Sequence, residues 1–317
     1  MRHIIENEYL KVEVSELGAT LVRFIEKRDN TDIVLGYETD EEYRKYPGNL
    51  GASIGRNANR IKDAKFVLNG VTYELNKNNY GNNIHGGGIN GFGFRMWKTE
   101  FKNESEVRFS YFSKDGEEGF PGDLKAEVTY KLEGKTLLFA YRGTAYADTL
   151  FNMTNHAYFN LGDEDILNEY LRVTADRYAP TDEYGLTLDE VCTVEGTPYD
   201  FTEFRRIDDN LSRLEKGIDN NYVWEVMGDK LMAQLKNDKY LFSVYSDLPD
   251  MHLYTGNMLA EQTGKYGVKY TKHKGLCLEC QFFPNGINYG DKYLSAVLRK
   301  GESTTHYMRY EFDYLNS

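Results

Sequence analysis

Apolar and polar residues alternate with a period of two along much of this chain. Leu10, Val12 and Val14 alternate with charged residues, and the same pattern recurs over 107–111 and 126–132. Such alternation is typical of antiparallel strands that bury one face and expose the other. The sequence therefore predicts an all-β protein built from half-buried antiparallel strands.

A tight β-hairpin is predicted over 66–75. Two short apolar segments there are separated by Asn69 and Gly70. Asn-Gly is a strong signal for a two-residue hairpin turn, because both turn residues must accept a positive φ. We expect the two segments to pair directly with each other.

Helical periodicity is confined to two short pieces, 39–46 and the segment around 207–214. In the first piece Thr39 and Glu42 have the spacing of a capping box. A length of 317 residues suggests about two domains of roughly 150 residues, but all-β chains of this size often form one. No low-complexity linker or fixed repeat divides the sequence. We expect one domain over 1–317, a large antiparallel β-sandwich with a few short helical turns.

The charge and cysteine content exclude several classes of protein. Fifty acidic and 38 basic side chains give a net charge of −12, which would repel nucleic acid and anionic lipid surfaces. The N-terminus has no apolar signal region, and no stretch approaches the roughly 18 apolar residues of a membrane span. Three cysteines are few and odd in number, which fits a reducing compartment. We expect a cytoplasmic protein without nucleic-acid or membrane partners, and the sequence leaves its oligomeric state open.

Two short motifs resemble known sites but lie in the wrong context. The segment 86–91 reads GGGING, yet a dinucleotide-binding loop needs a preceding strand and a following helix, and neither pattern is present. We expect this loop instead to let backbone approach a ligand or another loop closely. Cys277 and Cys280 form a CxxC match within a predicted buried strand. Residues three apart on a strand point to opposite faces, so these sulfurs should neither share a metal nor form a disulfide.

Three titratable side chains are candidates for acid–base chemistry. Glu279 lies in the same apolar run, where burial would raise its pKa toward that of a useful general base. The alternative is a glutamate on a solvent-facing strand edge. His85 precedes the glycine-rich loop and His156 lies in an aromatic segment, and an imidazole at either place can act as acid or base. A lone histidine is more often structural, so the joint occurrence with Arg60 and Asp219 carries the hypothesis.

Taken together, six blocks of sequence resemble the aldose 1-epimerase (galactose mutarotase) family. They occur in the family's order across nearly the whole chain. Any one block is weakly specific for the family, whereas six blocks in the family's order make a highly specific match. The blocks are 55–61, 83–87, 155–161, 218–222, 254–257 and 277–284.

The resemblance implies a single β-supersandwich domain and a reaction that needs neither cofactor nor metal. That reaction interconverts the α and β anomers of free aldohexoses such as galactose and glucose, so the expected partner is a monosaccharide. By position, Glu279 matches the general base, His156 the general acid, and His85 a second active-site histidine. The positions that match sugar-binding groups are Asn59, Arg60, Tyr158, Asp219 and His252.

The sequence departs from the family pattern at three positions in or near the matching blocks. His252 stands where many members have glutamine, Asn220 where histidine is common, and Asn285 where aspartate is common. An imidazole offers fewer hydrogen-bonding atoms than an amide, so we expect an altered sugar contact at His252. The preferred sugar is left open. Two alternatives remain: a glycoside hydrolase that uses Asp219 and Glu279, and a sugar-binding protein without turnover.

Overall fold

The computed structural model describes residues 1–315, and its regular structure is almost entirely β. The two α-helices are short: α1 (Asp40–Lys45) and α2 (Ile207–Leu211). Short 3-10 turns cover Lys62–Ala64, Gly88–Asn90, Phe92–Phe94, Glu117–Gly119, Lys265–Gly267, Gly286–Asn288 and Gly290–Lys292. No helix within residues 1–315 is long and apolar enough to cross a membrane.

The strands in chain order are β1 (Arg2–Glu6), β2 (Leu10–Ser15), β3 (Thr20–Glu26), β4 (Thr31–Asp32), β5 (Ser53–Ile54), β6 (Arg60–Ile61), β7 (Lys65–Leu68), β8 (Val71–Glu74), β9 (Asn83–Ile84), β10 (Lys98–Lys102), β11 (Glu106–Ser113), β12 (Leu124–Glu133), β13 (Thr136–Ala145), β14 (Thr149–Leu150), β15 (Thr154–Asn155), β16 (Tyr170–Val173), β17 (Arg177–Ala179), β18 (Cys192–Thr193), β19 (Arg205–Arg206), β20 (Asp219–Val223), β21 (Lys230–Lys236), β22 (Tyr240–Ser246), β23 (Asp250–Tyr254), β24 (Gln262–Thr263), β25 (Lys269–Tyr270), β26 (Cys277–Gln281), β27 (Val297–Leu298) and β28 (Ser303–Tyr314).

The local elements predicted from the sequence are confirmed. Strands β2, β11 and β12 cover the three segments of period-two alternation, and burial alternates residue by residue along most of β12. Strands β7 and β8 form the predicted hairpin, with φ of 53° at Asn69 and 78° at Gly70. Helix α1 begins at the predicted capping box, in which the Thr39 side chain accepts a hydrogen bond from the Glu42 backbone.

The largest sheet has nine strands in the order β10-β11-β12-β13-β28-β22-β21-β16-β19. Strand β28 lies between β13 and β22 and pairs antiparallel with both. Strands from the first and second halves of the chain therefore share one sheet, although β13 and β22 lie far apart in sequence.

Two smaller sheets contribute to the same core as the nine-stranded sheet. The four-stranded sheet β1-β2-β3-β4 contributes Val12 and Phe24, and the five-stranded sheet β18-β17-β20-β23-β26 contributes Leu253 and Leu278. These side chains pack in one cluster with Tyr310 and other inner-face residues of the nine-stranded sheet. A sandwich follows, as predicted, because each sheet buries one apolar face against another.

The five-stranded sheet has one apolar and one polar face. On β26, Leu278 and Cys280 point into the core cluster, whereas Cys277, Glu279 and Gln281 occupy the alternate positions. Paired residues on neighbouring antiparallel strands share a face, so the polar set extends across β23 and β20. All three cysteines are free, and the two of the CxxC motif lie on opposite faces, as expected.

Candidate active site

The polar face of the five-stranded sheet carries three of the predicted site residues. Register pairing places His252 of β23 directly opposite Glu279 of β26. Asp219, at the start of β20, pairs with Tyr254 of β23. The sheet thus sets Glu279, His252 and Asp219 side by side because their strands are adjacent and their positions are in phase.

His156 approaches this face from the end of strand β15. Its backbone is fixed on both sides, since the His156 N–H donates to Ala52 at 3.0 Å and the Gly51 N–H donates to the His156 carbonyl at 2.9 Å. The His156 ring lies with Nε2 3.7 Å from Glu279 Oε1. Both residues are buried, with 6% and 1% of their surface exposed. A carboxyl and an imidazole therefore face each other with little exposure to bulk solvent.

His85 is held by a reciprocal contact with Asn59. The His85 backbone N–H donates to the Asn59 carbonyl at 3.1 Å, and the Asn59 backbone N–H donates to the ring atom Nδ1 of His85 at 3.2 Å. A backbone N–H can only donate, so Nδ1 must carry the lone pair, and neutral His85 carries its proton on Nε2. The ring lies edge-on to His156, with centroids 5.1 Å apart. His85 can therefore donate a hydrogen bond through Nε2.

The same hydrogen bond argues against a metal at this place. His85, His156 and Glu279 each offer a donor atom, and these atoms lie within 4.8 Å of one another. A metal bound to Nε2 of His85 would leave that ring with no proton at all, because Nδ1 already accepts from Asn59. The arrangement fits a ligand that accepts a hydrogen bond better than it fits a cation.

The carboxylate of Asp219 lies between the His252 ring and the Arg60 guanidinium. His252 Nε2 lies 2.7 Å from Asp219 Oδ1, and Arg60 Nη2 lies 3.9 Å from Oδ2. Burial raises the pKa of Asp219, but the hydrogen bond to His252 and the charge of Arg60 outweigh it, so the net pKa is lowered. Asp219 is therefore ionised at neutral pH. His252, which stands where many family members have glutamine, binds this carboxylate.

The pKa of Glu279 is shifted in the opposite direction. Burial raises its pKa well above the ordinary value, the negative charge of Asp219 raises it further, and Arg60 opposes both. Its Oε2 atom has no hydrogen-bond partner among the described residues. The prediction of a buried glutamate with a raised pKa is confirmed, and the solvent-facing alternative is wrong because Glu279 is buried, although β26 is the last strand of its sheet.

Both histidines stay neutral near neutral pH. Burial lowers the pKa of His156 to about 4, against a hydrogen bond to its own backbone that raises it; the electrostatic interaction with His252 lowers it further, and that with Asp219 raises it. Burial also lowers the pKa of His85 well below its usual range, and electrostatic interactions with His156, when that ring is protonated, and with Arg60 add to that effect. The imidazoles are therefore hydrogen-bonding and proton-transfer groups rather than fixed cations.

All eight residues predicted for the site line one cleft of about 680 Å³, within the usual range for small-molecule sites. Tyr158 lines it and stacks on the His156 ring, with centroids 5.2 Å apart. Asn220 and Asn285 are not among its lining residues; Asn285 instead accepts a hydrogen bond from the Lys62 backbone. The eight are His85, His156, Glu279, Asn59, Arg60, Tyr158, Asp219 and His252.

Several residues of the cleft were not predicted from the sequence. Asn79 accepts a hydrogen bond from Arg60 Nε at 3.0 Å. Gly185, outside the cleft, packs against the other side of the same guanidinium, and a Cβ there would lie 2.7 Å from Nη2. Tyr254 and Asn78 also line the cleft. The asparagine-rich run 76–83 was a usable signal for Asn78 and Asn79, whereas nothing local marks Gly185.

A carboxyl facing an imidazole at the floor of a polar cleft is an arrangement that can carry out general acid–base chemistry. The family model described as Aldose 1-epimerase matches residues 1–311. Galactose mutarotase from Homo sapiens is 34% identical, with 97% of this chain and 92% of that protein covered. Aldose 1-epimerase from Escherichia coli K12 is 35% identical, with 96% and 93% covered.

Solved structures agree with these relatives. An aldose epimerase homologue from C. elegans superposes with a TM-score of 0.93 at 28% identity, covering all of both chains. Galactose 1-epimerase from Lactobacillus acidophilus gives 0.86 at 28% identity over 98% of this chain and 93% of that one. This chain belongs to the aldose 1-epimerase family of carbohydrate isomerases. The relatives' names do not favour the glycoside hydrolase alternative.

Proposed function

We propose that this protein interconverts the α and β anomers of free aldohexoses such as galactose and glucose, with Glu279 as general base and His156 as general acid. The observation that carries the role assignment is the 3.7 Å approach of His156 Nε2 to Glu279 Oε1 at the floor of the cleft. Two proton-transfer groups at that separation can act on neighbouring oxygens of one sugar ring.

The chemistry requires one proton to leave the C1 hydroxyl while another reaches the ring oxygen. The C1–ring oxygen bond then breaks, the aldehyde turns about C1–C2, and the ring recloses on its other face. Microscopic reversibility makes the acid and the base exchange roles on closing. Only one C–O bond breaks and forms, and every other change is a proton transfer. These two side chains are therefore sufficient to carry out the proton transfers of the reaction.

The opposite pKa displacements suit this exchange. An ordinary carboxyl is a much stronger acid than an imidazolium, but burial raises the pKa of Glu279 and lowers that of His156. Between these pKa values the pair holds a single proton, which rests on Glu279 in the free protein. Its transfer to His156 gives the carboxylate base and the imidazolium acid that ring opening needs; ring opening then moves the proton through the sugar to Glu279, and ring closure moves it back. A proton that can be delivered from both sides serves opening and closing equally.

The remaining groups of the cleft would hold the sugar. The Nε2–H of His85 would donate to the ring oxygen or C1 region, because Asn59 fixes that tautomer. Arg60 and ionised Asp219 offer charge-assisted hydrogen bonds to hydroxyls, which discriminate strongly between sugars. Asn59, Tyr158 and His252 complete the wall.

The proposal also includes a monosaccharide as the substrate and a cytoplasmic location. The three free cysteines support a reducing compartment. The size and polarity of the cleft lining support a small hydroxylated ligand.

Polarimetry on freshly dissolved α-D-galactose and α-D-glucose tests the activity directly. We expect micromolar protein to accelerate the decay of optical rotation well beyond the buffer rate. Glu279→Gln and His156→Ala should each lower kcat by at least about 100-fold, the scale of one lost proton-transfer partner.

A matched control is Glu169→Gln. Glu169 is another buried carboxyl with a pKa raised by burial, but it lies outside the cleft. Its variant should keep the wild-type rate. No acceleration by wild-type protein would refute the activity, and wild-type rates in the Glu279 or His156 variants would refute the assigned roles.

A further inference from the structure

Arg60 stands between two cavities. It lines the cleft and also a neighbouring cavity of about 940 Å³, whose other lining residues include Tyr184 and Gly185. An arginine side chain is long and flexible, so open space on two sides gives its guanidinium more than one place to lie. Only 12% of the Arg60 side chain is exposed, which indicates that neighbouring residues hold it in one place.

Asn79 fixes one edge of the guanidinium. Arg60 Nε donates a hydrogen bond to Asn79 Oδ1 at 3.0 Å. Within residues 1–315, Nη1 and Nη2 donate no hydrogen bond, and Nη2 lies 3.9 Å from Oδ2 of ionised Asp219. The four Nη protons therefore remain for a ligand.

Gly185 covers one face of the same guanidinium. A Cβ at position 185 would lie 2.7 Å from Nη2, 2.8 Å from Cζ and 3.1 Å from Nη1. Such nearly equal distances place that Cβ over the plane of the group rather than beside one edge. A methyl group does not fit at these distances, so a side chain at position 185 would push the guanidinium away.

The loop that carries Gly185 is braced by its own hydrogen bonds. The Asp182 side chain accepts from two backbone N–H groups of the loop, both at 2.9 Å. Gly185 has φ of 80°, a value that glycine adopts more readily than other residues. Tyr184 also contacts Tyr80 of the asparagine-rich run, with ring centroids 5.4 Å apart. The segments that supply the two supports of Arg60 therefore touch each other.

We propose that Asn79 and Gly185 are positioning residues. They hold the Arg60 guanidinium by one edge and one face, so that its free Nη groups stay beside Asp219 instead of swinging into the neighbouring cavity. The proposal rests on the sugar-binding role proposed for Arg60. Gly185 is not among the residues that line the cleft, so its effect on a bound sugar must pass through Arg60.

Hydrogen exchange of the Arg60 Nε–H group tests the two contacts without any sugar. Its ¹H–¹⁵N signal is assigned by its loss in Arg60→Lys. We expect exchange to be at least about tenfold faster in Asn79→Leu and in Gly185→Ala than in the wild type, because a free N–H exchanges more readily than a hydrogen-bonded one. Unchanged exchange in both variants would overturn the proposal.

Asn168→Leu is the matched control for Asn79→Leu. Asn168 also accepts a hydrogen bond from an arginine, Arg206 Nη2 at 2.8 Å, but it lies outside the cleft. Exchange at Arg60 Nε–H should keep its wild-type rate in this variant. Equal acceleration in the two leucine variants would mean that general loosening, and not the Asn79 contact, governs the exchange, and the proposal would be wrong.

Gly185→Ala tests the face contact through sugar binding. We expect the new methyl group to displace the guanidinium and to raise KM for galactose about tenfold, the scale of one lost hydrogen bond to a charged group. The change in kcat should be much smaller, because the guanidinium binds hydroxyls and transfers no proton. Gly196→Ala is the control, since φ there is 73° but no atom lies within 4 Å of the new Cβ. Both variants should lower the melting temperature similarly, and only Gly185→Ala should change KM.

The same substitutions in an Arg60→Lys background show whether the effect passes through the guanidinium. A lysine has no planar group for Asn79 and Gly185 to hold, so neither Asn79→Leu nor Gly185→Ala should raise KM much further. An undiminished rise in that background, or equal KM values in Gly185→Ala and Gly196→Ala, would contradict the proposal. Absent mutarotation by wild-type protein would refute the proposed function, whereas Nε–H exchange would still decide whether these residues hold Arg60.

Discussion

Two carboxyl groups in one cleft are held in different protonation states by their immediate neighbours. Glu279 is fully buried close to the negative charge of Asp219 and stays protonated to a higher pH than usual, whereas Asp219 contacts His252 and Arg60 and stays ionised. Environments that push two carboxyl pKa values apart are a mark of acid–base sites. The proposed division of labour, proton transfer for Glu279 and hydroxyl binding for Asp219, follows from this difference.

The lowered pKa of His156 makes folding stability depend on pH. The unfolded imidazole takes up a proton near pH 6.5, whereas the folded one does so only near 4. The stability that comes from the neutral ring is therefore complete above about pH 6.5 and is lost as pH falls toward 4, by about 3 kcal/mol in total. The raised pKa of Glu279 acts in the opposite sense, so a comparison of variants is needed to isolate His156.

Urea unfolding at pH 7 and pH 5 provides that comparison. We expect the fall in unfolding free energy between these two pH values to be about 2 kcal/mol smaller in His156→Asn than in the wild type. Equal falls in both proteins would show that the ring is not held neutral in the folded state.

At the level of elements, a contact between two loops places His85. Asn59 and His85 both have positive φ, 60° and 53°, and each backbone binds the other residue. Gly86, with φ of 67°, packs so closely that a Cβ would lie 2.1 Å from the Gly55 carbonyl oxygen. The glycine-rich loop therefore does bring backbone close to another loop, as its sequence suggested.

Gly86→Ala should separate these loops and displace His85. We expect a loss of more than about 2 kcal/mol in unfolding free energy, from backbone strain and the clash together, and a large fall in kcat. Gly70→Ala is the matched control, because φ there is 78° but no atom lies within 4 Å of the new Cβ. It should cost only about 1 kcal/mol and leave kcat unchanged; equal effects of the two substitutions would contradict the loop contact.

The elements that could be predicted from the sequence are those determined by residues close together in the chain. Alternation fixed β2, β11 and β12, the Asn-Gly pair fixed the β7–β8 turn, and Thr39 with Glu42 fixed the start of α1. The contacts of Gly185 with Arg60 and of Cys277 with His156 join residues more than a hundred positions apart. No local pattern encodes such contacts. Glu279, His85 and His156 were candidates from their own sequence context, whereas Asn59, Tyr158 and His252 came only from the family resemblance.

At the scale of the whole molecule, the sheets share one core. The main apolar cluster includes Ile5 near one end of the described chain and Phe312 near the other. Strand β28 pairs with β13 over nine residue pairs and with β22 over seven. We propose on this basis that residues 1–317 form one domain, the expectation drawn from the sequence.

Differential scanning calorimetry tests the single domain. We expect one unfolding transition whose calorimetric and van't Hoff enthalpies agree, as for a single cooperative unit. Two resolved transitions, or a calorimetric enthalpy well above the van't Hoff value, would show that the halves of the chain unfold separately.

The central place of β28 also has a consequence for biosynthesis. This strand follows every other strand of the nine-stranded sheet in the chain. While the ribosome has yet to make it, β13 and β22 are both open sheet edges, and such edges readily pair with other chains. Nascent chains of this protein therefore expose the β13 and β22 edges until β28 has been made, and a chaperone that covers edge strands would act during that interval.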